Sequence, residues 1–381
     1  MKVCLFSKNY GALDGCAQSV FDVIVALIEC DIDLNILYNK SFPNITYHDG
    51  YEIKEKYSLY QLPRKNIFDI ILHNQKRISE IENIKPELCI VNGISGHKWR
   101  VLLNKDYCNN NLIIIRESPQ LSKFKNEENS LELMKEKMRY YQKYIFVSYN
   151  VMLQWKDLLQ LNDSQIHYIP NCINESKAEE VKKLDRTIIK SNLKFNSNTF
   201  NVVCVASIQK RKGQDLIFSS IKKIVNSMPD IHFHIVGKEK KPESEEMIAC
   251  IPQNYMKYFT FHGSKENALE YMRASDAMIL PSRSEAFPRV TLESIAVGTP
   301  VIISDVDGNT EQIIHNKTGK IFPNEDFDKM IDCIKELYDN KELGPKFSDE
   351  AFNYYLSNFT REKHINNFKS CLMNFDLIEN N

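Results

Sequence analysis

Residues 277–311 read AMILPSRSEAFPRVTLESIAVGTPVIISDVDGNTE, and no other stretch constrains the fold as much. The apolar run Ala277 to Leu280 is long enough for a buried strand and too short for a helix. Pro281 and Ser282 break it. Ser284-Glu285-Ala286-Phe287-Pro288 follows as a connector, and Val290 to Val297 reads as an apolar helix closed by Gly298. Val301 to Ser304 is a second strand. Strand, loop, helix and strand in so few residues make a βαβ unit, whose strands must run parallel.

In such units the loops at the carboxyl ends of strands hold ligands, and the helix amino terminus attracts anions. Glu285 lies just before that terminus and Glu293 one turn inside it. A carboxylate does not bind phosphate, but it accepts hydrogen bonds from sugar or ribose hydroxyls beside one. The pattern points to a phosphorylated, hydroxyl-rich ligand such as a nucleotide sugar.

The stretch resembles the retaining GT-B glycosyltransferases of family four, the group with glycogen synthase-like and mannosyltransferase-like enzymes. Their signature is a Glu, seven residues, a second Glu, G-T-P-V, and a Gly-containing turn before another Glu. Here it stands as Glu285, Glu293, Gly298-Thr299-Pro300-Val301, Gly308 and Glu311. The resemblance implies an α/β GT-B fold of two Rossmann-like domains, parallel sheets facing across a cleft, and a C-terminal helix crossing back to the first domain. The competing reading is a structural parallel-sheet unit with solvated Glu residues.

A chain of 381 residues is too long for one ordinary core and fits two domains. Residues 1–175, with a crossing helix over 360–381, form the expected acceptor-side domain; residues 176–359 form the expected nucleotide-sugar-binding domain. The net charge of −1 implies no global attraction to nucleic acid or anionic lipid. The ten cysteines are scattered without a C-x-x-C pair, and Cys4, Cys89 and Cys204 lie in apolar runs, as buried free thiols do in a reducing compartment. His232 and His234 alternate along a strand-like run and read as structural; no histidine spacing fits a metal. MKVCLFSKNYG reads as a strand rather than a signal peptide, and no apolar segment reaches the ~18 residues needed to span a bilayer. A cytoplasmic location is expected.

In the first half, Val3 to Ser7 reads as a central strand, residues 8–18 as a glycine-containing loop, and Ser19 to Ile28 as a helix. The resemblance gives Gly15 the role of bringing backbone against the donor; a plain turn glycine explains it equally well. Leu34 to Tyr38, Glu87 to Asn92 and Leu112 to Ile115 are further strands. Arg116-Glu117-Ser118 puts three polar residues at a buried strand's carboxyl tip, where such folds keep chemistry. The family often has a donor-contacting His there; Glu117, Arg116 or His97 remains as the replacement. Leu131 to Tyr144 reads as a basic amphipathic helix with Lys135, Lys137, Arg139 and Lys143. It would allow weak peripheral membrane contact, although a solvated surface helix is the commoner explanation. Tyr144 to Ser148 and His167 to Pro170 are short strands, and Pro170-Asn171 matches the family's turn before the interdomain crossing.

Glu175 to Thr199 is the most polar stretch and reads as a linker. Asn201 to Ala206 then opens a second domain. Lys210-Arg211-Lys212 follows at its carboxyl end, just before a helix starting near Asp215, which makes a good anion site. The family places an Arg and a Lys here, five residues apart, on the donor diphosphate. Lys212-Gly213 matches the Lys-Gly, but the Arg position falls on Ser207, so Arg211 is the candidate replacement. Ile231 to Val236 and Phe259 to Gly263 are strands; the loop of His262 is the family's nucleobase-facing loop. Helices are expected over 267–274, 326–337 and 350–375.

The resemblance implies a metal-independent transfer from a nucleotide diphosphate sugar to a carbohydrate or lipid-linked acceptor, with no cofactor and no nucleic acid. Lys212, Arg211 and the helix terminus at Phe287, Arg289 and Val290 would stabilise the leaving diphosphate. Glu285 would hold sugar hydroxyls and Glu293 the ribose diol. A GT-B nucleotide-sugar epimerase and a non-catalytic nucleotide-sugar-binding protein stay open as alternatives. A glycosyl phosphorylase would need a longer chain.

Overall fold

A computed structural model of the chain describes residues 1–7, 15–38, 47–48, 51–52, 57–61, 82–94, 108, 110–119, 135–136 and 138–378. It divides into two units. One comprises residues 1–172 and 361–381; the other comprises residues 173–360.

The first unit holds strands β1 (Lys2–Ser7), β2 (Asp33–Tyr38), β5 (Tyr57–Gln61), β6 (Leu88–Asn92), β7 (Asn111–Ile115), β8 (Lys143–Phe146) and β9 (Ile166–Tyr168). They pair in the order β5-β2-β1-β6-β7-β8-β9, every described pair parallel. A separate two-residue pairing joins β3 (Tyr47–His48) to β4 (Tyr51–Glu52), antiparallel. Cys4 and Cys89 face each other across β1 and β6 as buried free thiols. Strand β5 had no signal in the sequence: YSLYQ is short, and the polar run around it obscures a two-residue period. Helix α1 (Gly15–Glu29) begins four residues earlier than its apolar face predicts, because Gly15 to Gln18 add no apolar periodicity. The helix expected over 131–144 is cut short. Residues 135, 136 and 138 are helical, but the chain turns at Arg139 and Tyr140 and enters β8 at Lys143; residues 131–134 and 137 lie outside the described set. Helix α2 (Tyr149–Leu159) is capped by the Ser148 hydroxyl, which accepts from the Val151 amide at 3.1 Å.

The second unit holds β10 (Phe200–Val205), β11 (Ile231–Val236), β12 (Phe259–Gly263), β13 (Ala277–Leu280), β14 (Val301–Ser304) and β15 (Lys320–Phe322). Their order is β12-β11-β10-β13-β14-β15, all parallel, so the strands after β10 build outward to one side and those from β13 onward to the other. That is the doubly wound Rossmann order, with its switch point between β10 and β13.

The stretch expected to be a linker instead forms α3 (Glu175–Lys183) and α4 (Arg186–Asn192), packed within this unit on α7 (Ala268–Ala274), with α3 also on α8 (Arg289–Ala296). Its polarity misled because only Ala178, Val181 and Ile189 are buried, a stripe too thin to register in composition. Local caps set both starts: Asn174 accepts from the Lys177 amide at 3.0 Å and Asp185 from the Thr187 amide at 2.7 Å. One face of the sheet is covered by α5 (Gln214–Ser227) and α10 (Phe327–Asp339). Leu216, Ile221, Ile224, Met330 and Ile334 close there on Val202, Phe233 and Ile235. The remaining helices of this unit are α6 (Glu243–Ala249), α9 (Asn309–Gln312) and α11 (Leu343–Asn358).

The last helix, α12 (Arg361–Asn374), belongs to the first unit and packs on α1. Arg361 lies 3.8 Å from the buried Asp22 carboxylate of α1, and His364 Nδ1 donates to the Pro170 carbonyl at 2.7 Å. Residues 350–375 are thus two helices, not one, broken at Phe359 and Thr360.

Candidate functional site

The site forms where β10 and β13 part. After β10 the chain makes a single 3-10 turn over Lys210–Lys212, then Gly213, then α5. Gly213 has φ +71°, and a Cβ there would lie 1.8 Å from the Pro281 carbonyl oxygen. Only glycine permits both that backbone conformation and that approach, which brings the cationic turn against the end of β13. The buried Gln214 donates to the Ser207 carbonyl at 3.1 Å, and Gln209 donates to the Ser207 hydroxyl at 2.9 Å. Ser207 therefore shapes the turn.

After β13, Pro281 and Ser282 end the strand and the next residues lace onto the cationic turn. The Arg283 amide donates to the Arg211 carbonyl at 2.8 Å, and Arg211 Nη1 donates to the Ser284 carbonyl at 2.8 Å. Lys212 Nζ is ion-paired with Glu285 Oε1, which also accepts from Ser282 Oγ at 2.8 Å. Arg211 Nη1 lies 3.5 Å from Glu285 Oε2. Glu285 is only 7% exposed. Burial by itself would raise its pKa. Lys212 first, then Arg211, then hydrogen bonds from Lys212 and Ser282, outweigh burial and hold the carboxyl below its ordinary value. The loop is braced from behind: Gly308 N donates to the Glu285 carbonyl at 3.1 Å, and Ser284 Oγ donates to Asp307 at 3.1 Å.

Arg211, Lys212 and Glu285 are thus brought together, with α8 leaving directly from the loop. Pro288 caps α8, and its carbonyl accepts from Gln312 at 3.0 Å. Along α8, Arg289 is buried, while Val290 and Glu293 are partly exposed and share one face. The Phe287 ring packs edge-on against Phe359 with centroids 5.4 Å apart, so it anchors the loop within the core.

His262 lies near the end of β12, where the strand reading put it. Its Nε2 lies 3.0 Å from His234 Nδ1, and its ring packs on Tyr271 with centroids 4.7 Å apart. His234 in turn bonds Asn201 Oδ1 at 3.0 Å and stacks on Phe195 at 3.5 Å. In the first unit, Gly15 is the first residue of α1, and the Glu117 carbonyl accepts from Trp155 Nε1 at 2.8 Å. The Arg116 guanidinium reaches Asn92 at 2.8 Å, Asn171 at 2.6 Å and the Ser19 carbonyl at 3.1 Å, joining the ends of β6 and β7 to α1. His97 and loop residues 8–14 lie outside the described residues.

Two contributors had no signal in the sequence. Arg283 and Asp215 pair through the two terminal guanidinium nitrogens and both carboxylate oxygens, at 2.8 Å each. Nothing local could show a pairing between residues 68 positions apart. Among the described residues, no group of three or more His, Cys, Asp or Glu could hold a metal ion. Nor, among them, is any helix long and apolar enough to cross a membrane.

Residues 185–354, nearly all of the second unit, match the family glycosyl transferases group 1. The second unit is a group 1 glycosyltransferase domain. The family likeness read from Glu285, Glu293 and Gly298 to Val301 therefore holds. Two relatives align over most of the chain. The UDP-Gal:alpha-D-GlcNAc-diphosphoundecaprenol alpha-1,3-galactosyltransferase of Escherichia coli is 24% identical over 330 residues, 84% of this chain and 78% of that protein. The N-acetyl-alpha-D-glucosaminyl L-malate synthase of Bacillus anthracis is 23% identical, covering 87% of this chain and 84% of that protein. Among solved structures, sucrose-phosphate synthase from Thermosynechococcus elongatus superposes with a TM-score of 0.80 at 18% identity, covering 98% of each chain. Anabaena HepE in complex with UDP-glucose superposes at 0.79 and 14% identity, covering 98% of this chain and 99% of that one. The fold of the chain is GT-B, built from two Rossmann-like halves with parallel sheets.

Proposed function

We propose that this chain transfers a hexosyl group from a nucleotide diphosphate sugar to a hydroxyl of a carbohydrate or lipid-linked acceptor, with retention and without a divalent metal. The observation that carries the reading is the meeting of Lys212, Arg211 and Glu285 at the switch point of the second unit. Cleavage of the anomeric C–O bond leaves its electron pair on the diphosphate. Two fixed cations beside the start of α8 meet that developing charge without reorganising, which is where most electrostatic catalysis arises. Glu285, kept ionised, accepts from sugar hydroxyls, and Glu293 on the partly exposed face of α8 accepts from the ribose diol. The acceptor oxygen attacks the same face of the anomeric carbon, and its proton passes to the departing phosphate oxygen. UDP-linked donors are favoured, since one relative is named for UDP-Gal and HepE holds UDP-glucose.

The test is a panel of UDP- and GDP-hexoses, each incubated with lipid-linked and free saccharide acceptors in excess chelator. Nucleoside diphosphate release that requires an acceptor, with an NMR coupling constant of the donor's anomeric configuration in the product, supports the reading. An epimerised nucleotide sugar without acceptor, or tight binding without any product, would replace it with an epimerase or a binding protein.

A further inference from the structure

We propose that Arg283 is a positioning residue, a clasp that fixes the cationic turn to the Glu285 loop so that Lys212 and Arg211 present their charges at one place. The inference rests on the donor-site reading and adds to it a residue outside the family signature. Arg283 uses its whole fork. Nη1 and Nη2 take the two oxygens of Asp215 at 2.8 Å each, and Nε takes Glu325 at 2.8 Å. Nη1 also donates to the Lys210 carbonyl, while the Arg283 amide donates to the Arg211 carbonyl. Three segments meet on one half-buried side chain: the cationic turn with the first residues of α5, the loop that carries Glu285, and the connection after β15.

Lys212 and Arg211 have long side chains, and their reach is only as well defined as the backbone beneath them. The Lys210 and Arg211 carbonyls are the groups Arg283 holds. A planar five-donor fork can bind a carboxylate bidentately and a carbonyl together; a lysine ammonium offers three donors from one point and cannot span the set. Arg283 itself supplies no charge to the ligand, because its guanidinium is already matched by Asp215 and Glu325.

The full-length chain is compared with Arg283→Ala, Arg283→Lys, Asp215→Asn and the swap Asp215→Arg with Arg283→Asp. Lys223→Ala is the control, since it breaks the well-exposed Lys223–Asp328 pair on the same unit. Two quantities are read: calorimetric affinity for UDP and GDP, and amide hydrogen exchange over 209–215 and 282–286. The expected result is roughly ten- to a hundredfold weaker binding in Arg283→Ala and Asp215→Asn, the scale expected when two long cationic side chains are ordered only on binding. Exchange quickens in those two segments and little elsewhere, Arg283→Lys falls between, the swap recovers part of the loss, and Lys223→Ala changes neither readout. Affinity and local exchange in Arg283→Ala within about twofold of wild type would overturn the proposal, as would exchange rising uniformly through the unit. If the wild-type chain binds neither UDP nor GDP, the donor-site reading falls, and the exchange pattern alone upholds or sinks the clasp.

Discussion

Lys212 and Glu285 stand 73 positions apart in the chain and form an ion pair whose carboxylate is almost fully buried. Each comes from a loop at the carboxyl end of a neighbouring strand, β10 and β13, on either side of the point where the strand order reverses. Removing Lys212 leaves the buried carboxylate with Arg211 at 3.5 Å and the Ser282 hydroxyl, and without its closest counter-ion.

Lys212→Met should therefore cost about 3 kcal/mol of stability, the low end for a buried charge that loses its closest counter-ion, and turnover should fall about a hundred- to a thousandfold. Glu285→Gln in the same chain should recover much of the stability and none of the activity. A double-mutant cycle by urea unfolding measures the coupling. Stabilities that add to within about 0.5 kcal/mol would show that the pair is not a unit.

Gly213→Ala should destabilise the second unit by at least about 2 kcal/mol, since the new side chain meets both an unfavourable φ and a backbone oxygen. The same change should weaken nucleoside diphosphate binding, because relief of the clash moves the cationic turn away from Pro281. Circular dichroism melting and calorimetry read the two effects. A neutral outcome would mean that the turn is not held as tightly as its contacts indicate.

Acid should weaken the second unit in two stages. Burial, then the neighbouring His232, His262 and Lys190 charges, push His234 from its ordinary 6.5 down to about 2. A histidine depressed in the folded state is protonated more readily in the unfolded chain, so stability is whole above pH 6.5 and falls as the pH drops. The slope from this one group amounts to about 2 kcal/mol between pH 6.5 and 5. Glu285, also depressed, adds stability that is present above its ordinary 4.5 and is lost only as the pH falls further. His234→Gln should flatten the first stage and Glu285→Gln the second in pH-resolved unfolding. A first stage unchanged in His234→Gln would assign that slope to other groups.

Phe368→Ala, in α12, should destabilise the first unit by about 3–5 kcal/mol, the usual cost of truncating a buried phenylalanine. Trp155 is fully buried in that unit, so its fluorescence follows the unit's unfolding transition. A fluorescence midpoint equal to that of wild type would show that α12 contributes no core to it.

Much of the second unit was legible in the chain because its signals are local. Ala277 to Leu280 and Val301 to Ser304 are uninterrupted apolar runs, and they are β13 and β14. Lys212-Gly213 marked the end of the cationic turn, since a glycine with positive φ is a requirement set at a single residue. Residues 175–199 were misread because the buried face of α3 and α4 is only a few residues wide, and its partners α7 and α8 lie about a hundred positions further on. The place of His262 near the end of β12 was legible, but the partners of its ring were not. A strand end predicts where the backbone goes, but rotation toward His234 and Tyr271 depends on rings from other elements.

By itself, then, the sequence determined a parallel α/β architecture, the family of its second half, and the identity of the cations and carboxylates at strand ends. Those follow from hydrophobic period, turn chemistry and spacing, which act over a handful of neighbours. Only the tertiary structure decided that Arg211 stands against Glu285 while Ser207 shapes the turn, and that Arg283 joins Asp215 to the Glu285 loop. Such pairings arise when the strand order reverses between β10 and β13 and brings distant loops side by side, a relation set by packing and invisible to any local window.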